Sequence, residues 1–507
     1  MGNWLYKSFR ALQPNSVRHR HSVTTRLAII EEPFESEIMS TNAFAALRKP
    51  VDVVVMAAGK GTRMRSQKPK VLQALAGRAL LGHVLDSALG LGARDVVVIT
   101  GHQKEAVQAF AKRHERVTCV VQEPQLGTGH AVMQALPALQ DDGVTLVLSG
   151  DVPLTRPETL AALIAMCRGD QMALLTVNLT DPTGYGRILR NADQQVQAIR
   201  EEKDATPQER AVTEIYSGIM AVPTAWLRAA IAKLGNDNQQ GEYYLTDVVA
   251  QAVADGLPVQ AHCIQNDWEV AGVNSPAQLA ALERVYQRHQ AEAHMQAGVR
   301  LADPERFDVR GELTCGTDVE IDVNCVFQGR VSLGDGVRVG ANCVIANAHI
   351  AAGAVIHPFT HIDGEAAGVT VGEGALIGPF ARLRPGANLG REVHVGNFVE
   401  IKNSSLADGA KANHLAYLGD AQVGERVNYG AGSITANYDG ANKHRTTIEA
   451  DVHVGSNCVL VAPVTIGAGG TVGGGSTVTK DTPAGALTVA RGKQISIPNW
   501  QRPSKKK

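Results

Sequence analysis

From about residue 321 onward this chain counts in sixes. Val371, Ile377, Leu383, Leu389, Val395 and Ile401 stand six apart, and Gly372, Gly378, Gly390 and Gly396 directly follow four of them. Ile321, Phe327, Leu333, Val339 and Ile345 form an earlier run of the same kind, and Val454, Leu460, Ile466, Val472 and Val478 a later one. A period of six fits neither a 3.6-residue helix nor a simply alternating strand. It fits a parallel β-helix, in which each hexapeptide is one short strand plus a turn and three hexapeptides close one coil. The aliphatic residue points into a narrow prism, and the small residue beside it lets the chain turn. The 51 glycines and the 4% aromatic content suit such a thin solenoid better than one large globular core.

The 507 residues allow two or three domains. A net charge of -1 argues against a general nucleic-acid binder. No apolar run is long enough for a transmembrane helix. The cysteines, Cys119, Cys167, Cys263, Cys315, Cys325, Cys343 and Cys458, are odd in number and contain no CxxC pair. Buried free thiols in a reducing cytosol are therefore expected, rather than disulfides or a zinc site. In residues 1–49, Lys7, Arg10, Arg18, Arg20 and Arg26 precede the first acid, Glu31, faintly like a transit peptide but without a secretory apolar core. A disordered extension is expected there, or a start assigned upstream of Met39.

Residues 50–276 read as the first folded domain. Val51-Asp52-Val53-Val54-Val55-Met56 is a buried-strand run ending in a Gly-rich loop. Further strands are predicted at Asp95–Thr100, Val117–Gln122 and Thr145–Leu148, with helices between them such as Leu80–Leu89. Alternation of this kind implies a mostly parallel sheet wrapped by helices, with ligands at the carboxyl ends of the strands. Ser275-Pro276 opens a long helix, a linker over residues 277–297, that Gly298 stops. The solenoid occupies 298–507 and ends in a short polar tail.

Ala57-Ala58-Gly59-Lys60-Gly61-Thr62-Arg63-Met64 follows the first strand directly. Glycines let backbone N–H groups approach an anion, and Lys60 and Arg63 add positive charge. A dinucleotide fingerprint needs Gly where Met64 stands, and a P-loop needs Ser or Thr where Gly61 stands. Pro69-Lys70, Gln122, Leu126-Gly127-Thr128-Gly129 and Ser149-Gly150-Asp151 follow. Together these resemble the nucleoside-diphosphate-sugar pyrophosphorylases.

The solenoid has its own irregularities. The period slips by one residue between Ile401 and Leu406 and again between Leu418 and Val423, bracketing Asn413-His414-Leu415-Ala416-Tyr417. Thr435 to Arg445, polar and carrying Asn437-Tyr438-Asp439-Gly440, reads as an ejected loop. Breaks in a regular repeat are where function tends to sit. Arg384, Lys402, Tyr417 and Lys443 supply donors for a phosphate, and histidine is the residue type suited to acid–base work near neutrality, so His414 is the candidate general base.

Both halves and their order resemble the bifunctional bacterial N-acetylglucosamine-1-phosphate uridyltransferase/glucosamine-1-phosphate acetyltransferase family, from about Val51 to the end. The resemblance implies a Rossmann-like nucleotidyltransferase domain, a connecting helix and a left-handed parallel β-helix. It implies acetyl-CoA-dependent acetylation of glucosamine 1-phosphate, then uridylyl transfer from UTP with release of pyrophosphate, feeding peptidoglycan and lipopolysaccharide synthesis. It implies a Mg²⁺ ion on Asp151 and Asn274, with Arg63 and Lys70 holding phosphates. Met56, Ala57, Ala58, Gly59, Lys70, Gln122, Gly127, Thr128, Ser149, Gly150, Asp151, Gly186, Glu201 and Asn274 then make the UTP and UDP-sugar site. Tyr216 stands where the family has a sugar-contacting Asn. Arg384, Lys402, Tyr417, Asn428 and Lys443 make the amino-sugar site, with His414 as base. Ala431, Asn437, Tyr438, Ser456, Gly474 and Arg491 make the acetyl-CoA site, Gly474 replacing a common Ala. The family is a cytoplasmic homotrimer with small-molecule substrates. Two alternatives remain on these residues: a monofunctional nucleotidyltransferase whose β-helix only oligomerises, and another nucleotide such as dTTP.

Overall fold

The computed structural model describes residues 49–503; the expectation for the extension at 1–49 therefore falls almost wholly outside the described residues. Residues Val51–Ala57 form the strand expected, with Val53, Val54 and Val55 wholly buried. Its neighbours are Val144–Ser149 and Asp95–Thr100, both parallel to it. Across the sheet the order is Val259–Ile264, Met172–Asn178, Glu214–Pro223, Val144–Ser149, Val51–Ala57, Asp95–Thr100 and Val117–Val121. Only Glu214–Pro223 runs antiparallel to its neighbours in that order. Helices Leu80–Gly90, Lys104–Ala111, Thr128–Ala135, Pro157–Cys167, Thr224–Ile231 and Asp247–Ala254 are interspersed with the strands. The predicted strand and helix positions hold to within one residue at each end.

Helix Pro276–Gln296 is capped by Ser275, whose hydroxyl accepts from the Gln278 N–H at 3.3 Å. It belongs to both cores. Leu282 packs with Leu75, Leu80 and Val273 of the first domain, whereas Ala291 packs with Phe307 and Val309 of the solenoid. Gln287, fully buried in the middle, exchanges two hydrogen bonds with the Val309 backbone (2.7 and 2.8 Å) and so ties the helix to the first coil.

The remainder is a left-handed parallel β-helix, with every strand pair parallel. The six-spaced series Ile321 to Ile345, Val371 to Ile401 and Val454 to Val478 is buried in its interior. Leu376 pairs with His394, eighteen residues on, but His394 pairs with Lys411, seventeen on. The one-residue slips read from the sequence are therefore real shortenings of a coil. Asn428 pairs with His453, twenty-five residues on, because the segment around Tyr438–Lys443 is thrown outward as a loop closed by a bridge between those two residues. Tyr429 takes an interior position that aliphatics fill in most coils, and its hydroxyl has no partner among the described residues.

All seven cysteines are free. Cys167, Cys325, Cys343 and Cys458 are buried as expected, but Cys119 and Cys315 are only half-buried and Cys263 is exposed. Cys263 lies on Val259–Ile264, an edge strand that no further strand covers among the described residues. Among the described residues no helix is long and apolar enough to cross a membrane.

Candidate functional sites

The nucleotidyl cleft forms where three parallel strands end. Met56 C=O accepts from the Gly150 N–H at 2.9 Å, and Ala58 C=O accepts from the Gln125 amide at 2.6 Å. The Gln122 amide donates to Gly127 C=O at 2.8 Å. Gly127 has φ +103°, and a Cβ there would lie 2.6 Å from the Tyr243 carbonyl oxygen, so glycine is required. Thr128 starts helix Thr128–Ala135, and its hydroxyl accepts from the Leu245 N–H. These residues surround a cavity of about 290 Å³ lined by Met56, Ala57, Ala58, Gly59, Lys70, Gln122, Gly127, Thr128, Ser149 and Asp151. A second cavity of about 380 Å³ is lined by Lys60, Gly61, Thr62, Arg63, Lys70, Gln125, Glu242 and Asn274.

Asp151 and Asn274 meet because Val273 N–H donates to Asp151 C=O at 2.9 Å, joining two distant segments. Their side-chain oxygens converge on the Lys70 ammonium, which bonds Asp151 Oδ2 and lies 3.0 Å from Asn274 Oδ1.

Gly186, Glu201 and Tyr216 cluster apart from those two cavity linings. Gly186 C=O accepts from the Tyr216 N–H at 2.9 Å, and a Cβ on Gly186 would lie 3.8 Å from both Glu201 carboxylate oxygens. Burial pushes the Glu201 carboxyl up, and the Thr246 hydroxyl, donating to it at 2.9 Å, opposes this. Tyr216 packs among Ile188, Ile199 and Met220; its hydroxyl is buried without a partner among the described residues, and burial followed by the Glu201 charge raises it well above the ordinary phenol range.

The solenoid arranges its predicted residues along two edges of one face. Arg384, Lys402 and Tyr417 belong to neighbouring coils of that face, through the pairs Arg382–Glu400 and Glu400–Tyr417. Lys443 enters from the ejected loop. The neighbouring Lys443 ammonium is the main cause that holds Lys402 below its usual value, with burial adding to it. Asp420 lies beside them and accepts from the Asn403 and Asn437 amides. Burial pushes its carboxyl up, but those hydrogen bonds, and then the charges of Lys402 and Lys443, outweigh burial and hold it below the usual carboxylate range.

The opposite edge carries His414, Ala431, Ser456 and Gly474, one above another. Gly432 N–H donates to His414 C=O, Asn457 N–H to Ala431 C=O, and Gly475 N–H to Ser456 C=O. Arg491 donates to Gly474 C=O at 2.6 Å. Asn437 and Tyr438 lie instead at the loop edge, with Tyr438 exposed. Asn428 points from a different face, paired with Lys411 and His453. One chain therefore does not bring Asn428 together with Arg384, Lys402 and Tyr417.

Sequence reasoning missed two residues. Gln125 lines both cavities, and Asn397 contacts His414. Each is a single polar residue in a loop or at a strand end, and such a residue carries no pattern.

A nucleotidyltransferase sheet joined through one helix to a hexapeptide-repeat solenoid defines the class of this protein. The MobA-like NTP transferase domain family matches residues 53–243, and the hexapeptide repeat of succinyl-transferase matches 445–480. The bifunctional protein GlmU of Paracidovorax citrulli (strain AAC00-1) is 72% identical over 467 residues, covering 90% of this chain and 98% of that protein. The GlmU of Polaromonas sp. (strain JS666 / ATCC BAA-500) is 71% identical over 473 residues, and that of Aromatoleum aromaticum is 58% identical over 459, each covering 90% of this chain and nearly all of the relative (98% and 99%). The chain belongs to the bifunctional GlmU family.

The family implies a metal-dependent nucleotidyl transfer. Asp151 and Asn274 fit such an ion, because they offer two hard oxygens that already converge on a positive charge. Among the described residues no group of three or more His, Cys, Asp or Glu is placed to hold a metal.

Proposed function

We propose that the chain makes UDP-N-acetylglucosamine in two steps at two separate sites. Residues 298–507 acetylate glucosamine 1-phosphate, residues 277–297 connect, and residues 50–276 transfer the uridylyl group. The observation that carries this reading is the coexistence in one chain of two constellations. One is an oxygen pair converging on a cation at the strand ends; the other is a histidine at the corner between strands Lys411–His414 and Tyr417–Gly419, the second of which pairs with the strand that carries Lys402. Near full-length identity to bifunctional relatives favours it over a monofunctional nucleotidyltransferase with an oligomerising β-helix.

In the first step Arg384, Lys402, Tyr417 and Lys443 bind the sugar phosphate by charge-assisted hydrogen bonds. The sugar amine attacks the acetyl carbonyl. A C–N bond forms, the C–S bond breaks, and His414 takes the amine proton and passes it to the departing coenzyme A sulfur. The backbone N–H of Ala431 steadies the carbonyl oxygen. Asn437, Tyr438, Ser456, Gly474 and Arg491 hold coenzyme A.

In the second step a phosphate oxygen of N-acetylglucosamine 1-phosphate attacks the α-phosphorus of UTP, and the bond to pyrophosphate breaks. The chain's work is positioning and neutralisation. Arg63 and Lys70 hold phosphates, residues 56–59 with Gln122, Gly127 and Thr128 hold the nucleotide, and Gly186 and Glu201 hold the sugar. The metal is Mg²⁺, held by Asp151 and Asn274; when bound it offsets charge developing on pyrophosphate.

A homotrimer completes the acetyl site, with a neighbouring subunit supplying Asn428. Two observations support this. Asn428 faces away from the other amino-sugar residues, and Phe359, Phe380 and Phe398 form an exposed ladder along the His414 corner, with centroids 5.0 and 5.3 Å apart. UTP and acetyl-CoA are cytoplasmic metabolites, and the cytoplasm is the proposed location.

The test supplies glucosamine 1-phosphate, acetyl-CoA, UTP and Mg²⁺ and follows free thiol and pyrophosphate separately. His414→Ala should abolish only thiol release. Asp151→Ala should abolish only pyrophosphate release from supplied N-acetylglucosamine 1-phosphate. Wild type that forms pyrophosphate without ever releasing thiol would sink the bifunctional reading.

A further inference from the structure

Lys70 is fixed at its base by packing and held at its tip only by polar contacts. Leu72 and Gln73 donate to Pro69 and Lys70 carbonyls in a single 3₁₀ turn, and Val71 and Leu72 are buried. The Gly-rich loop presses on its stem: a Cβ on Gly61 would lie 2.7 Å from Lys70 Cβ. The ammonium is held between Asp151 and Asn274 at a site where both charged side chains are largely shielded, 13% and 14% exposed. Lys70 also lines both cavities of the cleft, so a phosphate in either lies within reach of the same tip.

We propose that Lys70 and the divalent cation compete for one position, the Asp151–Asn274 oxygen pair, and that the metal enters together with a polyphosphate that takes over the Lys70 ammonium. This rests on the uridylyl-transfer reading above. An ammonium and a divalent cation on the same two oxygens lie close enough to repel, so each weakens the hold of the other. A triphosphate resolves the conflict, because it offers the ammonium an equivalent anionic partner and brings the metal oxygen ligands the chain does not provide. The consequence is an ordered site, with weak affinity for free metal and strong affinity for the metal–nucleotide complex.

The experiment measures Mn²⁺ binding to the nucleotide-free, full-length protein by the electron paramagnetic resonance signal of unbound Mn²⁺. Lys70→Met leaves the Asp151 carboxylate without its partner, and Mn²⁺ affinity should rise by about tenfold or more. Lys70→Gln, a milder change should the first variant misfold, should shift it the same way, and Lys70→Arg should stay near wild type. Adding Asp151→Asn to Lys70→Met should remove the gain. Unchanged or weaker Mn²⁺ binding in both neutral variants overturns the competition, as does a gain that survives Asp151→Asn. Pyrophosphate release by wild type in the same preparation separates the two failures. If release is present while Mn²⁺ affinity does not move, only the competition falls; if release is absent, the uridylyl-transfer reading falls with it.

Discussion

His414 Nδ1 lies 3.0 Å from the Asn397 side-chain oxygen, and the two residues are register partners on successive coils. An amide oxygen only accepts, so Nδ1 carries the proton and Nε2 keeps its lone pair for the amine. Asn397 is thus a positioning residue. His414→Ala should lower acetyl transfer by about a hundredfold or more, and Asn397→Ala by about tenfold through loss of the tautomer and ring orientation. Both are read as thiol release, with pyrophosphate formation unchanged. Asn397→Asp keeps an acceptor and should recover much of the loss; a variant series in which Asn397→Asp is as poor as Asn397→Ala would leave the contact without a role.

The Lys402–Lys443 pair predicts effects of opposite sign on binding and on stability. Removing Lys443 removes a charged group from the proposed sugar-phosphate site, worth about 1.5–3 kcal/mol, so Lys443→Met should weaken glucosamine 1-phosphate binding about tenfold to a hundredfold. Without substrate the same change relieves the repulsion that depresses Lys402. A lysine whose folded value is lowered costs stability while it is charged, and the cost fades as pH climbs through that lowered value. Lys443→Met should therefore melt higher than wild type at neutral pH, with the gain shrinking in strongly alkaline buffer. Calorimetry across pH checks the sign.

The solenoid was legible because its interior accepts one kind of residue at a fixed interval, and both shortened coils and the ejected loop register as departures from that count. The sheet was legible from Val51–Met56 and its successors, which are apolar because helices cover them. The site was less so. Asp151 and Asn274 are joined by one backbone hydrogen bond between remote segments, a contact that no local pattern encodes, and their pairing came from family resemblance. Tyr429 inside the prism puts a hydroxyl where the count asks for an apolar side chain, and Phe359, Phe380 and Phe398 fall outside the six-residue count because they occupy left-handed corner positions.

Asp420 is the acid that holds the loop edge together. Its carboxylate takes the Asn403 and Asn437 amides, and its backbone bonds Lys402 and Thr446. Its carboxyl is held below the usual range, so the stabilisation is complete above the ordinary carboxylate pKa and is lost as pH falls through the lowered folded value. Asp420→Asn should cost about 1–3 kcal/mol near neutrality, and the difference from wild type should disappear in strong acid. It should also raise the KM for acetyl-CoA, because Asn437 loses its anchor. Denaturant melts at several pH values test the first point, and thiol release the second.

Gly396 precedes Asn397 and sits against the next coil, where a Cβ would lie 2.0 Å from the Asn413 carbonyl oxygen and 2.6 Å from its carbonyl carbon. These are backbone atoms with no side-chain freedom to yield, so Gly396→Ala must spread the two coils. The strain falls on the pair that aligns Asn397 with His414. Overpacking of this kind costs about 1–3 kcal/mol, and the geometric damage is larger than the energetic one because that register orients His414, the proposed base. Gly396→Ala should lower the melting temperature modestly and reduce thiol release as much as Asn397→Ala does. Pyrophosphate release should hold, since the nucleotidyl cleft belongs to the other core. Gly372→Ala is the control: it lies two coils from His414, and its Cβ would meet the Gly390 carbonyl at 2.3 Å in a different strand column from the Asn397–His414 pair. Equal loss of thiol release in both variants would mean that general loosening of the solenoid, rather than the His414 register, sets the acetyl-transfer rate.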